Sequence, residues 1–260
     1  MIELNKALKF LEHFSVITIG ENKIPNFPWK KQQSEKLSVS QFTKNYEYKG
    51  GIIRKDGSEI PATTGLGICT GFEDLEILDI DLKVLSTAQE QREFWDEFIT
   101  TLRDNILDFD DKIVIYKTKN AGYHLLYKTK RVEGNLKIAK LKGHKEAIIE
   151  SRGISGYGML YPDNKVGKLS YFDIQYISDH DREVLMHVSK VYNHIESDEE
   201  PVIPKVKKEF NGSNKSPWQD YNEKTDIWYL LQDEFTIPPN GNKSKHILIK
   251  RHGSESAHSG

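Results

Sequence analysis

The stretch Leu75-Glu76-Ile77-Leu78-Asp79-Ile80-Asp81 decides how this chain is read. Its alternation is that of a β-strand, in which residues two apart share a face. Leu78 and Ile80 therefore turn to a core, and Asp79 and Asp81 stand side by side on the other face. Two neighbouring carboxylates repel unless a cation lies between them. A hard divalent ion such as Mg²⁺ prefers such oxygens. The competing reading is a pair of solvated aspartates closing a strand, and the motif alone leaves both open.

Working outward, Leu4, Ala7, Leu8, Leu11 and Phe14 have helical spacing, and Val16–Ile19 reads as a strand. The prolines at 25 and 28 predict an extended run from Ile24 to Lys31, because each pushes its predecessor out of helical space. Ser38 or Ser40 caps a short helix through Tyr46. Six glycines between Gly50 and Gly71 predict tight turns and close backbone approaches. Ser86 offers an N-cap for a helix through Phe94, Phe98 and Leu102. Strands are predicted at Ile113–Tyr116, Tyr123–Tyr127, Ala147–Glu150 and Tyr157–Tyr161, and a closing helix over Asp179–Ile195. The charged, proline-containing stretch 196–217 has neither periodicity and reads as a linker. Beyond it, 218–260 holds one predicted helix (Thr225–Leu231) and one strand (His246–Ile249), too little for its own core, so the chain reads as part of something longer.

With 260 residues, the chain is long enough for one substantial domain and a smaller piece. A single cysteine, Cys69, excludes an internal disulfide and a cysteine-based zinc site. That fits a reducing compartment, and with no signal-peptide pattern and no apolar run of membrane-spanning length the expected location is cytoplasmic. Net charge is −2, but its distribution is uneven. Acidic residues dominate from Glu73 to Asp111, whereas Lys117–Arg152 carries ten Lys and Arg against Glu133, Glu146 and Glu150. A basic stripe beside an acidic focus suits phosphate-rich ligands near metal ions, although such runs are usually a solvated surface.

Three elements follow the carboxylate pair. Lys117-Thr118-Lys119-Asn120-Ala121-Gly122-Tyr123-His124 is a basic turn leading into a strand with a histidine near its start. Ile148-Ile149-Glu150-Ser151-Arg152 is a second apolar strand ending in a carboxylate, with an arginine suited to phosphate. Gly153 to Pro162 is glycine-spaced. Taken singly, His124 reads as structural and Glu150–Arg152 as a surface ion pair. Taken in order, Asp-x-Asp, Gly-x-His and Glu-x-Arg resemble the N-terminal catalytic domain of bifunctional DNA primase/polymerases, of the archaeo-eukaryotic primase superfamily. The matching residues are Gly67-Ile68-Cys69-Thr70-Gly71, Asp79 and Asp81, Gly122-Tyr123-His124, Glu150-Ser151-Arg152-Gly153, Gly156-Tyr157 and Tyr161-Pro162, with Pro25 and Pro28-Trp29-Lys30 upstream. Ser216-Pro217-Trp218-Gln219-Asp220-Tyr221-Asn222, Asp226-Ile227 and Ala257-His258-Ser259-Gly260 are similar to a module that follows such domains in phage and plasmid primase-helicases.

The resemblance implies an α+β fold: a primase-polymerase core over 1–195 with an RNA-recognition-motif-like antiparallel sheet flanked by helices, the linker at 196–217, and a small accessory segment at 218–260. It implies templated nucleotidyl transfer, with Asp79, Asp81 and Glu150 holding two Mg²⁺ or Mn²⁺ ions about 3.5–4 Å apart. His124 would contact the nucleotide, helped by Arg152, Lys117 and Lys119. Partners would be a single-stranded DNA template, a primer strand, NTP or dNTP, and a helicase domain in the full-length chain or in trans; no membrane is expected. The basic stripe from Lys128 to Lys145 would guide DNA, and Tyr123, Tyr157 or Trp29 would stack on a base or simply pack. The chain has no Gly-x-x-x-x-Gly-Lys-Ser/Thr loop. It departs from the family in having Glu150 where aspartate is common, which leaves metal preference open. The rivals are a single-stranded DNA or origin-binding module without synthesis, a nucleotide-sugar glycosyltransferase using the same Asp-x-Asp, and, more weakly, a rolling-circle nickase.

Overall fold

The computed structural model describes residues 2–194 and three short strands beyond them, Phe235–Thr236, Leu248–Arg251 and Ala257–Ser259. The chain divides into two compact units, Met1–Glu199 and Glu200–Gly260.

In the first unit, α1 (Leu4–His13) buries Ala7, Phe10 and Leu11 along one stripe, as its spacing predicts. Strand β1 (Val16–Ile19) follows, and α2 (Val39–Tyr46) starts from Ser38, whose side chain accepts from the Gln41 backbone while Gln41 reaches back. After a small hairpin of β2 (Ile52–Ile53) and β3 (Glu59–Ile60) come β4 (Gly65–Cys69) and β5 (Leu75–Asp81). Helix α3 (Ala88–Asn105) is capped by Thr87, not Ser86. The Thr87 hydroxyl accepts from Glu90 N at 3.1 Å and the Glu90 carboxylate accepts from Thr87 N at 2.9 Å. A carboxylate at this third helical position also faces the positive end of the helix dipole, which favours the Thr87 start.

The remainder comprises α4 (Phe109–Lys112), β6 (Val114–Lys117), β7 (Gly122–Lys128), β8 (Leu136–Lys140), β9 (Ala147–Arg152), β10 (Tyr157–Met159), β11 (Lys165–Val166) and α5 (Asp179–Val191). Six strands form one antiparallel sheet in the order β11-β6-β7-β5-β9-β8, with β5 inside it. A second antiparallel sheet, β1-β4-β10, is separate. The class is therefore α+β with antiparallel sheets.

Both faces of the large sheet are covered. Leu78, Ile80, Leu125 and Ile149 pack with Phe98 and Leu102 of α3 and Leu185 of α5. Leu75, Ile77, Val114 and Leu126, on the other face, pack with Phe10 of α1, Phe42 of α2 and Ile68 of β4. The face carrying Asp79 and Asp81 is thus buried along most of its length and opens only at the end of β5. A buried ion pair fastens the same strand to α5: Arg182 donates to both Glu76 oxygens at 2.8 and 2.9 Å, and Tyr127 adds a hydroxyl at 2.9 Å.

Several strands were not legible as strands, β4 and β8 among them. In β4, Gly65 and Gly67 serve close packing between strands, since a Cβ at Gly67 would stand 3.2 Å from the Gly158 carbonyl oxygen. Gly71, at φ +81°, does make the expected turn. Strand β8 lies inside the basic stripe and is an edge strand, where lysines are common because they discourage further pairing. In the second unit, β12 (Phe235–Thr236), β13 (Leu248–Arg251) and β14 (Ala257–Ser259) form an antiparallel sheet. The strand expected at His246–Ile249 thus lies two residues later, at Leu248–Arg251. The expected linker at 196–217 and helix at Thr225–Leu231 lie outside the described residues.

Candidate active site

Strand register sets three of the expected site residues in one row. Asp79 of β5 stands opposite His124 of β7 on one side and Glu150 of β9 on the other, and Glu150 in turn stands opposite Lys137 of β8. Directly opposed residues in antiparallel strands share a face, so this row is fixed by the backbone. Asp81 is the next residue on that face, opposite Gly122. A Cβ at Gly122 would collide with the Ile80 carbonyl, which explains the glycine before His124. Arg152, two residues from Glu150, lies on the face of its carboxylate.

These side chains are partly shielded, with Asp79 23% exposed, Glu150 20% and Asp81 36%. The repulsion between them is relieved by the chain's own cations. One Arg152 nitrogen lies 3.3 Å from Asp79 Oδ2 and 2.5 Å from Glu150 Oε2. Lys83, on the turn after β5, lies 3.0 Å from Asp81 and 3.2 Å from Glu146, and these bonds hold its ammonium above its ordinary pKa. Among the described residues no three His, Cys, Asp or Glu side chains are grouped as a metal-binding set. The expected triad of Asp79, Asp81 and Glu150 is therefore not gathered on one point; Arg152 stands between Asp79 and Glu150.

His124 is nearly buried, and its Nε2 lies 3.5 Å from Asp79 Oδ1. Burial holds the imidazole below its usual pKa, with Asp79 pulling the other way. Its Nδ1 is buried without a hydrogen-bond partner among the described residues. Such an orphaned group is costly unless something in the working state satisfies it. Gly158 of β10 leaves the space beside it, since a Cβ there would stand 3.9 Å from Nδ1.

Asp79, Asp81, His124 and Arg152 line one cleft of about 350 Å³ together with Lys23, Asn120 and Tyr161. Glu150 borders an adjoining hollow of about 280 Å³ with Lys137 and Lys145, which shares Asp79, Asp81, Lys83 and Arg152 with the cleft. Lys119 borders a third cavity, of about 670 Å³. Lys117 is exposed and pairs with Tyr123, a register that puts it on the sheet face opposite His124, and it borders none of the three. Tyr123 stacks on Trp95 at 3.5 Å on that helical face, so it packs instead of facing the cleft. Tyr157 does line the cleft, with Trp29 edge-on behind it at 5.1 Å.

Lys23, Lys83 and Tyr161 went unassigned from sequence. Lys83 carries a local signal, lying two residues beyond Asp81. Lys23 carries none, because only the packing of the small sheet against the large one brings it 56 positions forward to Asp79.

The donor set suits a hard divalent cation. Asp79 and Asp81 offer carboxylate oxygens on one wall, where Arg152 and Lys83 now supply the neutralising charge. No helix of the described residues is long and apolar enough to cross a membrane. Compared with known proteins, the chain matches no family model and no curated sequence.

Proposed function

We propose that this protein is a DNA-templated nucleotidyltransferase, a primase or polymerase of the archaeo-eukaryotic primase type, acting in replication of a phage, plasmid or mobile element. The observation that carries the reading is the single row His124–Asp79–Glu150 across three adjacent strands, with Asp81 and Arg152 beside it. A surface salt bridge needs no buried histidine with an orphaned nitrogen, and a solvated strand end needs no enclosing second sheet.

In this reading Asp79 and Asp81, with Glu150 nearby, would hold Mg²⁺ or Mn²⁺, and Arg152 would be the residue that meets phosphate. The ions would supply Lewis acidity at the α-phosphate and lower the pKa of an attacking 3′-hydroxyl. The chain's own residues position and neutralise. His124, whose burial opposes protonation, would brace Asp79 through Nε2 at the wall of the nucleotide cleft. Arg152 would offer a planar fork to phosphate oxygens, and Lys83, beside Asp81, would add a second positive charge at the same wall. The covered β-sheet keeps water from one side of the site, while Asp81, Lys83 and Arg152 stay partly open to solvent. Lys137 and Lys145 continue the basic wall along which a DNA strand is guided. A helicase domain, in cis or in trans, would supply unwound template.

A second reading is single-stranded DNA binding without synthesis, favoured by the pairing of Arg152 and Lys83 with the carboxylates. One experiment separates the two. The protein is incubated with single-stranded template, labelled NTPs or dNTPs, and Mg²⁺ or Mn²⁺, with and without a primer. Products that disappear in the Asp79→Ala, Asp81→Ala double variant, itself still folded, support the transferase. Product surviving that change refutes the two-carboxylate site, and salt-sensitive DNA binding without product favours the binding module.

A further inference from the structure

Two stretches that the site has not used meet beside it. One is the turn after Arg152, Gly153 to Gly156; the other is the segment after Pro28, which ends in the single helical turn Lys30–Gln33. Every N–H from Gly153 to Gly156 is bonded. Gly153 N donates to Asn135 Oδ1 at 3.1 Å and Ile154 N to the Glu133 carbonyl at 2.7 Å. Ser155 N donates to Gln33 Oε1 at 3.0 Å and Gly156 N to the Gly153 carbonyl at 3.0 Å. Two carbonyls are held as well. Gly153 O accepts from the Thr70 hydroxyl at 2.6 Å, and Gly156 O accepts from Thr70 N at 3.1 Å and from Gln33 Nε2 at 2.9 Å.

The Gln33 amide thus pairs in both directions with backbone 122 and 123 positions away, as a neighbouring strand would. Its own turn is anchored to the small sheet. The Gln32 carbonyl accepts from the buried Ser15 hydroxyl at 2.6 Å, Ser15 O accepts from Cys69 N of β4 at 2.9 Å, and Trp29 stands edge-on to Tyr157 of β10. Thr70 follows β4 directly, so the small sheet grips the Gly153–Gly156 turn from two sides. The turn would not keep this shape alone. Ser155 has φ +65°, a left-handed backbone that a serine adopts only when its surroundings impose it. Ile154 and Ser155 are both exposed, so burial of their side chains is not what imposes it. A Cβ at Gly156 would stand 2.4 Å from Asn135 Oδ1 and 2.7 Å from Thr70 Oγ1, which shows how closely the surroundings approach. The Gly153 N–H belongs to the same peptide unit as the Arg152 carbonyl, so fixing it sets the direction in which the Arg152 side chain leaves the backbone. That side chain has one nitrogen 3.3 Å from Asp79 and 2.5 Å from Glu150, a placement that a modest rotation of this peptide would lose.

We infer that Gln33 is a positioning residue: through Ser155 and Gly156 it clamps the turn that sets Arg152 between Asp79 and Glu150, with Thr70 as the opposite jaw. Gln33 itself borders neither the cleft nor the adjoining hollow, so it acts through Arg152 alone. What Arg152 does once placed rests on the proposed transferase reading, but the placement does not.

The test follows the Arg152 side chain by NMR in the full chain, without metal or nucleotide. Its Nε–Hε signal is identified by its loss in Arg152→Met, and the Nε–Hε signal of Arg182, bonded to Glu76 elsewhere in the fold, is the reference. Gln33→Met removes both amide bonds and keeps the stem. Hydrogen exchange at Arg152 should quicken about three- to tenfold, as for losing hydrogen bonds of ordinary strength, while Arg182 stays as it is. Thr70→Val removes one hydroxyl from the same turn at nearly constant shape; it should move the same signal, and it decides the matter if Gln33→Met does not fold. An Arg152 signal that ignores both substitutions overturns the clamp, as does a quickening that Arg182 shares. A selective Arg152 response in a protein that makes no product upholds the clamp while the transferase reading fails. Templated synthesis in a protein whose Arg152 signal ignores both substitutions does the reverse.

Discussion

Replacing Arg182 by Met tests what fixes the strand that carries Asp79 and Asp81. Glu76 is fully buried and Arg182 only 6% exposed by side chain, and they meet through two hydrogen bonds of 2.8 and 2.9 Å. Methionine fills similar space but leaves Glu76 charged in the interior. Breaking a buried pair on one side costs about 3–5 kcal/mol, and the Tyr127 hydroxyl that stays on Glu76 puts this case near the lower end. In a domain of this size about 3 kcal/mol lowers the melting midpoint by roughly 6–12 °C. The assay is urea and thermal unfolding at pH 7, followed by circular dichroism. The double variant Glu76→Met, Arg182→Met removes both charges and should recover much of the loss, because matched apolar replacements of buried pairs are often near neutral. A loss below about 1 kcal/mol for Arg182→Met, or a double variant worse than the single, would refute the view that an uncompensated charge is the cost.

Three further outcomes follow from the site and its surroundings. Arg152→Met removes the guanidinium from between Asp79 and Glu150, so Mn²⁺ should bind the nucleotide-free protein about three- to tenfold more tightly, the modest size reflecting screening at a partly exposed group. Free Mn²⁺ measured by electron paramagnetic resonance checks this, and unchanged or weaker binding would count against a cation site there. Gly158→Ala drives a Cβ into Ile77 beside the His124 ring, and should destabilise by about 1–3 kcal/mol as overpacking does, with a displaced His124 signal by NMR. Cys69 is 1% exposed and burial pushes its thiol up to about 12. A thiol reagent at pH 8 should therefore find it only on unfolding. Its folded pKa is the raised one, so its contribution to stability is whole below its ordinary 9.0 and is lost as pH rises towards 12. Cys69→Ala should accordingly show a flatter alkaline limb in its stability profile.

What the sequence determined by itself was local. The alternation Leu78-Asp79-Ile80-Asp81 is enough to put both carboxylates on one face, because side-chain direction in a strand has a period of two. The short helix through Tyr46 and the buried stripe of α1 were equally readable, since they depend on neighbours three or four residues away, although the choice of Ser38 over Ser40 as cap was not. The Gly-x-His and Glu-x-Arg elements could be named as candidates, but nothing local says that His124 and Glu150 flank the same aspartate. That is a matter of register between strands separated by 45 and 71 positions, and register is settled by which hydrophobic faces pack where. The same holds for what went unread or was misplaced. Lys117 lies beyond the site because the alternation that turns His124 inward turns its neighbour's partner outward. Lys23 enters it only because β10 and β1 both pair with β4 and carry the turn after β1 to the cleft. The glycines of β4 look like turn residues until the opposing strand is seen, since close approach is a property of two chains in space and not of one segment. The pairing of Arg152 with both Asp79 and Glu150 was likewise decided by tertiary structure, because a guanidinium chooses among carboxylates by distance.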